Sequence, residues 1–135
     1  MKSLFLTFFC GLLSAFAGDS VNPSKYLPDV VREADSAVIE FYSSSGKEEV
    51  TVSDKLWLGR LAGILERSSY TPHSHCFCIS YPKIHVFRKK EKIATLSVHH
   101  DQKLRAYADR VSGDFLVGAE IGKAISALAM ERKKG

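Results

Sequence analysis

No G-x-S-x-G, G-x-x-x-x-G-K-[ST] or G-x-G-x-x-G occurs anywhere in the chain. Their absence removes the nucleophile elbow of the α/β-hydrolases, the phosphate-binding P-loop and the dinucleotide fingerprint. Cysteine occurs three times, proline four times and tryptophan once. Cys10 falls in the N-terminal leader, so the remainder can close one internal bridge at most, between Cys76 and Cys78. No apolar run reaches the roughly 20 residues that a membrane-spanning helix needs. No internal repeat marks a solenoid or propeller. Neither sign of charge dominates, with 19 basic and 15 acidic residues. The basic clusters Arg88–Lys92 and Arg132–Lys134 fall at an expected turn and an expected helix end, so they read as solvated surface. No nucleic-acid motif accompanies them, and nucleic acid is not an expected partner.

What is present begins with a leader. Met1-Lys2 is a short positive start, Leu4 to Ala17 is apolar or small with few exceptions, and Ala15-Phe16-Ala17 is an A-x-A cleavage signal. Residues 1–17 are therefore expected to be a secretory signal peptide. Cys10 is a poor lipoprotein site, because the bulky Phe9 precedes it. Export to a periplasmic or extracellular space follows, with no transmembrane anchor kept after cleavage. Cleavage removes Lys2 and leaves 18 basic against 15 acidic residues, a net charge of +3. That mild positive charge could favour anionic envelope components, and it does not steer the chain toward a basic enzyme.

Residues 18–30 contain Asn22-Pro23-Ser24 and Pro28 and are expected to be a tether. Residues 31–135 are expected to form a single domain. Ala37–Tyr42 and Glu49–Val52 carry β-branched and aromatic residues around a Ser-Gly break and predict a first hairpin. Ser53 is a plausible N-cap with Asp54 in the first turn, and Trp57, Leu58, Leu61, Ile64 and Leu65 recur at helical spacing. Trp57 is expected to be the large core residue of that helix.

A second hairpin turns at Lys89-Lys90-Glu91. Pairing Arg88 with Lys92 sets Val86 opposite Ala94, Ile84 opposite Leu96 and Pro82 opposite Val98, all on the core face. Continued, this register sets Ser80 against His100 and Cys78 near Gln102. Cys76, Cys78 and His100 then share the buried side, while His85 and His99 face away. Leu104–Ala108 predicts a further short strand, Val111–Asp114 a turn, and Val117, Ile121, Ile125 and Leu128 a second helix. The order β-β-α-β-β-β-α predicts an α+β fold: an antiparallel sheet of about 4–5 strands with two helices packed on one face.

All five histidines and both remaining cysteines lie between His73 and His100. Export favours a Cys76–Cys78 disulfide. In an extended strand, however, residues i and i+2 lie about 6.6 Å apart with parallel Cβ directions, which demands a bend. Two buried thiols, or ligation of zinc or copper(I) by Cys76, Cys78, His100 and one of His73 or His75, are the alternatives. The C-x-C spacing turns its sulfurs inward poorly, which predicts less than about half an equivalent of metal in purified protein. A thiolate activated by His100, with Asp101 or Asp109 behind it, would suit Cys–His catalysis, but no local signature places it. His99, Asp101 and Arg105 could form a surface recognition edge. The sequence thus predicts an exported, non-enzymatic binding or interaction module for an unknown protein or envelope component. The alternative is a metal- or thiol-handling protein using Cys76, Cys78 and His100.

Overall fold

Asn22 accepts a hydrogen bond from the Ser24 amide at 3.0 Å, and Pro23 follows at the first helical position. That pair starts helix α1, Pro23–Glu33, in the computed structural model, which describes residues 21–134. The segment expected as a tether is therefore helical from residue 23. Leu27 and Val31 are buried, because their spacing of four sets both on one face. Pro28 lies inside the helix, at the cost of one backbone bond. Residues 1–17, expected as a signal peptide, lie outside the described residues.

Strands β1, Ser36–Ser43, and β2, Gly46–Val52, form the first hairpin, with Gly46 at φ +108°. Helix α2, Lys55–Glu66, is capped by Asp54, one residue later than expected; its carboxylate accepts from the Leu56 amide at 2.9 Å. Strand β3 is Thr71–His73, β4 Lys83–Arg88, β5 Glu91–His99, β6 Lys103–Ala108 and β7 Ser112–Leu116. Helix α3, Ala119–Lys133, ends the described chain.

The result is an α+β fold with one seven-stranded, fully antiparallel sheet in the order β2-β1-β4-β5-β6-β7-β3. It has more strands and one more helix than the expected 4–5 strands and two helices. Alternate residues Ile39, Ile84, Leu96 and Leu104 face a single core with Leu27 and Val31 of α1, Trp57, Leu61 and Leu65 of α2, and Ile125 and Leu128 of α3. Trp57 is buried there, and its indole N–H donates to the Leu128 carbonyl at 3.1 Å.

Ile84 pairs with Leu96 and Val86 with Ala94, as the alternation demands. Beyond Val86 the register shifts by one, so Arg88 pairs with Glu91 and not with Lys92. The cause lies in the turn. Lys89 and Lys90 both take left-handed conformations, φ 49° and 67°, making a two-residue loop whose twist matches the strands. A bulge at Ile93 absorbs the remaining residue. At the other end the ladder stops at Lys83–Ser97, so Pro82 does not reach Val98. Without its own N–H, Pro82 cannot extend the pairing.

Candidate metal and thiol site

The strand order forces an unusual path on residues 74–82. β3 lies at one edge of the sheet, and β4 lies four inter-strand steps away, beyond β7, β6 and β5. That distance is about 19 Å at ordinary strand spacing. Nine residues reach about 30 Å when extended, so the segment can cross the sheet as a strap with slack left for a bend. It crosses on the face opposite the helices, where Thr95, Ser97, Arg105 and Asp114 alternate with the core residues.

Three contacts hold the strap. The Cys76 amide donates to Asp114 Oδ2 at 2.9 Å, the Arg105 guanidinium donates to the Cys76 carbonyl, and Ser80 Oγ donates to Ser97 Oγ at 2.9 Å. Arg105 and Asp114 face each other across β6 and β7 and pair through both carboxylate oxygens, at 2.7 and 3.0 Å. This guanidinium, helped by the Cys76 amide, holds the buried Asp114 carboxyl down at about 2.

The strap carries both cysteines onto this open face. Cys76 and Cys78 form a disulfide with their Cα atoms 5.3 Å apart, closer than the extended spacing. The bend that the strand geometry required is available because the segment is not a strand. Cys76 Sγ lies 3.7 Å from His100 Nε2, and Cys78 Sγ 3.4 Å from His99 Nδ1. The sulfurs and the two rings bring four ligand atoms within 4.8 Å of one another.

His99 replaces His75 in the expected set. His75 is exposed, 3.7 Å from Asp114 and edge-on to Phe77, while His73 lies exposed on β3. The expectation that Cys76, Cys78 and His100 share the core side is also corrected. The pair lies on the face away from the helices, with His99 beside it. Ser80 meets Ser97 and not His100, and Cys78 meets His99 and not Gln102. The chain leaves the ladder at Pro82, so every partner expected beyond that point differs. Nor do His99, Asp101 and Arg105 form an exposed edge: His99 is only 4% exposed and Arg105 is locked to Asp114, leaving Asp101 alone at the turn.

His99 sits at the centre of the site. Burial pushes its imidazole below the usual histidine range, toward the neutral form that binds metals. Among the described residues its buried Nε2 has no hydrogen-bond partner, and Asp114 Oδ2 lies 3.7 Å from it. A metal-bound histidine commonly donates its other ring N–H to a carboxylate, and Asp114 is the carboxylate nearest to that nitrogen. Zinc bonds of about 2.3 Å to sulfur and about 2.0 Å to nitrogen give tetrahedral S···N edges of about 3.5 Å. The observed 3.4 and 3.7 Å, one from each sulfur, are near that figure, and they belong to the bonded pair, whose sulfurs must part before one ion can hold both. A metal would take the sulfurs only as two thiolates, after reduction of the bond.

Beside the strap runs a groove of about 1160 Å³ lined by Cys78, Ser80, His85, Thr95, Ser97 and Tyr107, among others. His85 stands on its floor between Glu40 and Thr95, whose Oγ1 lies 3.0 Å from Nδ1. Asp109 also lines this groove. Among the described residues no helix is long and apolar enough to cross a membrane. Comparison with protein-family models, with curated proteins and with solved structures finds no match to this chain.

Proposed function

We propose that this chain is a small exported binding module whose ligand is a thiophilic metal ion, zinc or copper(I), held by Cys76, Cys78, His99 and His100. The gathering of four sulfur and nitrogen donors within 4.8 Å on the open face of the sheet carries this reading. Two thiolates and two neutral imidazoles are the donors that such ions select. Asp114 orients His99 from behind, and the Arg105–Asp114 pair fixes the strap that supplies the sulfurs. Export rests on the leader and its A-x-A signal. In that compartment the pair is held as a disulfide, and metal uptake follows its reduction by a dithiol, which opens the bond in two successive exchanges and leaves as a disulfide itself.

The test is intact mass and metal content of the protein purified after expression with its leader. The mass is expected to start at Gly18, with the pair oxidised and little metal bound. After anaerobic reduction the protein takes up one equivalent of zinc or copper(I), and His99→Gln and Cys78→Ser lose it. Retention by both variants, or no uptake by the reduced protein, removes the metal reading. A mass that includes residues 1–17 removes the export reading.

A further inference from the structure

We infer that the oxidised pair exchanges with cysteine thiols of an extended polypeptide lying in the groove beside it. The inference rests on the sulfur pair being the working site, as proposed above, and is independent of the metal.

The surroundings of the two sulfurs are unequal. Each sulfur has an imidazole nitrogen beside it, Cys78 at 3.4 Å from His99 Nδ1 and Cys76 at 3.7 Å from His100 Nε2, but only Cys78 lines the groove and only Cys76 Sγ also accepts a hydrogen bond from an amide, that of Cys78 at 3.4 Å. A thiolate arriving along the groove meets the Cys78 sulfur. Negative charge then develops on Cys76, where an N–H and an imidazole stand ready. Exchange is faster when the departing thiolate is the better stabilised one. The two flanking side chains are almost wholly exposed, Phe77 at 94% and Ile79 at 82%. Large apolar groups standing clear on both sides of a reactive sulfur suit contact with another chain. The groove exceeds the roughly 300–1,000 Å³ that holds a small ligand. It is long enough for several peptide residues, and the half-exposed Tyr107 is among the side chains that line it.

The chemistry balances without a further reagent. A substrate thiol gives its proton to solvent, and its thiolate bonds to Cys78 as the Cys76–Cys78 bond breaks. Cys76 leaves as a thiolate and takes up a proton. A second substrate thiolate attacks the substrate sulfur of this mixed disulfide and displaces Cys78, which is protonated in turn. Two substrate thiols become one disulfide, and the protein pair becomes a dithiol by gaining two electrons and two protons.

The experiment mixes oxidised, leader-cleaved protein with an equimolar reduced two-cysteine peptide in EDTA, followed by acid quench, alkylation and mass spectrometry. The protein is expected to gain two alkyl groups while the peptide loses two hydrogens. The rate per thiol should exceed that of glutathione by roughly tenfold, the kinetic worth of about 1.4 kcal/mol of docking. Single-cysteine variants then test the order of attack. With Cys76→Ser and Cys78→Ser each loaded as a thionitrobenzoate mixed disulfide, the peptide should release chromophore roughly tenfold faster from Cys78 than from Cys76. A pair that stays oxidised against the peptide but opens to a small phosphine overturns the inference. So do equal rates at the two sulfurs, or glutathione matching the peptide. Because EDTA is present throughout, failure here leaves the metal reading standing, and metal failure leaves this one standing.

Discussion

Asp114 is the side chain on which the open face depends. It is fully buried, accepts twice from Arg105 and once from the Cys76 amide, and stands behind His99. Its carboxyl sits near 2 in the fold, against 3.8 for an unperturbed aspartate. A depressed acid contributes stability that is complete above its unfolded value and is lost as pH falls through its folded one. The contribution, up to about 2 kcal/mol at 1.36 kcal/mol per unit, should therefore disappear between about pH 4 and pH 2. Denaturant titrations across that range should show the loss in the wild type and not in Asp114→Asn. That variant should also be destabilised at neutral pH, by about 3 kcal/mol, because it leaves Arg105 poorly paired. A neutral-pH loss below 0.5 kcal/mol, on the order of an exposed pair, would contradict this account. Asp114 was not legible as a site residue, and His99 was legible only as part of a surface recognition edge with Asp101 and Arg105, not as a partner of the sulfurs. Asp114 follows Ser112-Gly113, a turn signature, and the partner of His99 depends on a strap that no local pattern announces. Cys76, Cys78 and His100 were legible because residue type alone marks them.

Among the elements, long periodic segments were legible and short or punctuated ones were not. The helix around Trp57 and the Ile84–Leu96 pairing follow from spacing. α1 was hidden by its two prolines, although Asn22-Pro23 is itself a cap followed by a first helical position. β3 is three exposed residues with Pro72 among them, tolerable only at an edge, and has no pattern to detect. The β4–β5 turn carries a local conflict of its own. Lys90 holds φ at 67° without being glycine. Left-handed backbone costs an ordinary residue about 1 kcal/mol. Lys90→Gly should therefore raise stability by up to about that amount, read as a higher denaturant midpoint with an unchanged slope. A lower midpoint would show that this turn is not strained.

Across the whole molecule, the sheet separates a helical core from a sulfur-bearing outer face, and Gly122 is one point where the two sides meet. A Cβ at this position of α3 would overlap the Asp101 carbonyl in the β5–β6 turn and crowd Val98 at 3.2 Å. That turn also holds His100, at φ 53°. Gly122→Ala should cost about 1–3 kcal/mol by overpacking and shift His100 away from Cys76. Thermal unfolding measures the first effect, and the histidine ring signals in an NMR spectrum report the second. Unchanged stability with unmoved ring signals would sever the link. The α+β class was legible because strands came in hairpins without sustained β-α-β alternation, but the order of seven strands was not. Placing β3 at the far edge requires knowing that Thr71–His73 pairs with residues 114–116.

The strap has a consequence for how the chain comes into being. Residues 74–82 are synthesised before Ser97, Arg105 and Asp114, the residues that later fasten them down. Cys76 and Cys78, separated by one residue, can join as soon as both have emerged, with nothing else in place. The sulfur bond can thus precede every contact that fastens the strap, and strands β4 to β7 are assembled underneath it.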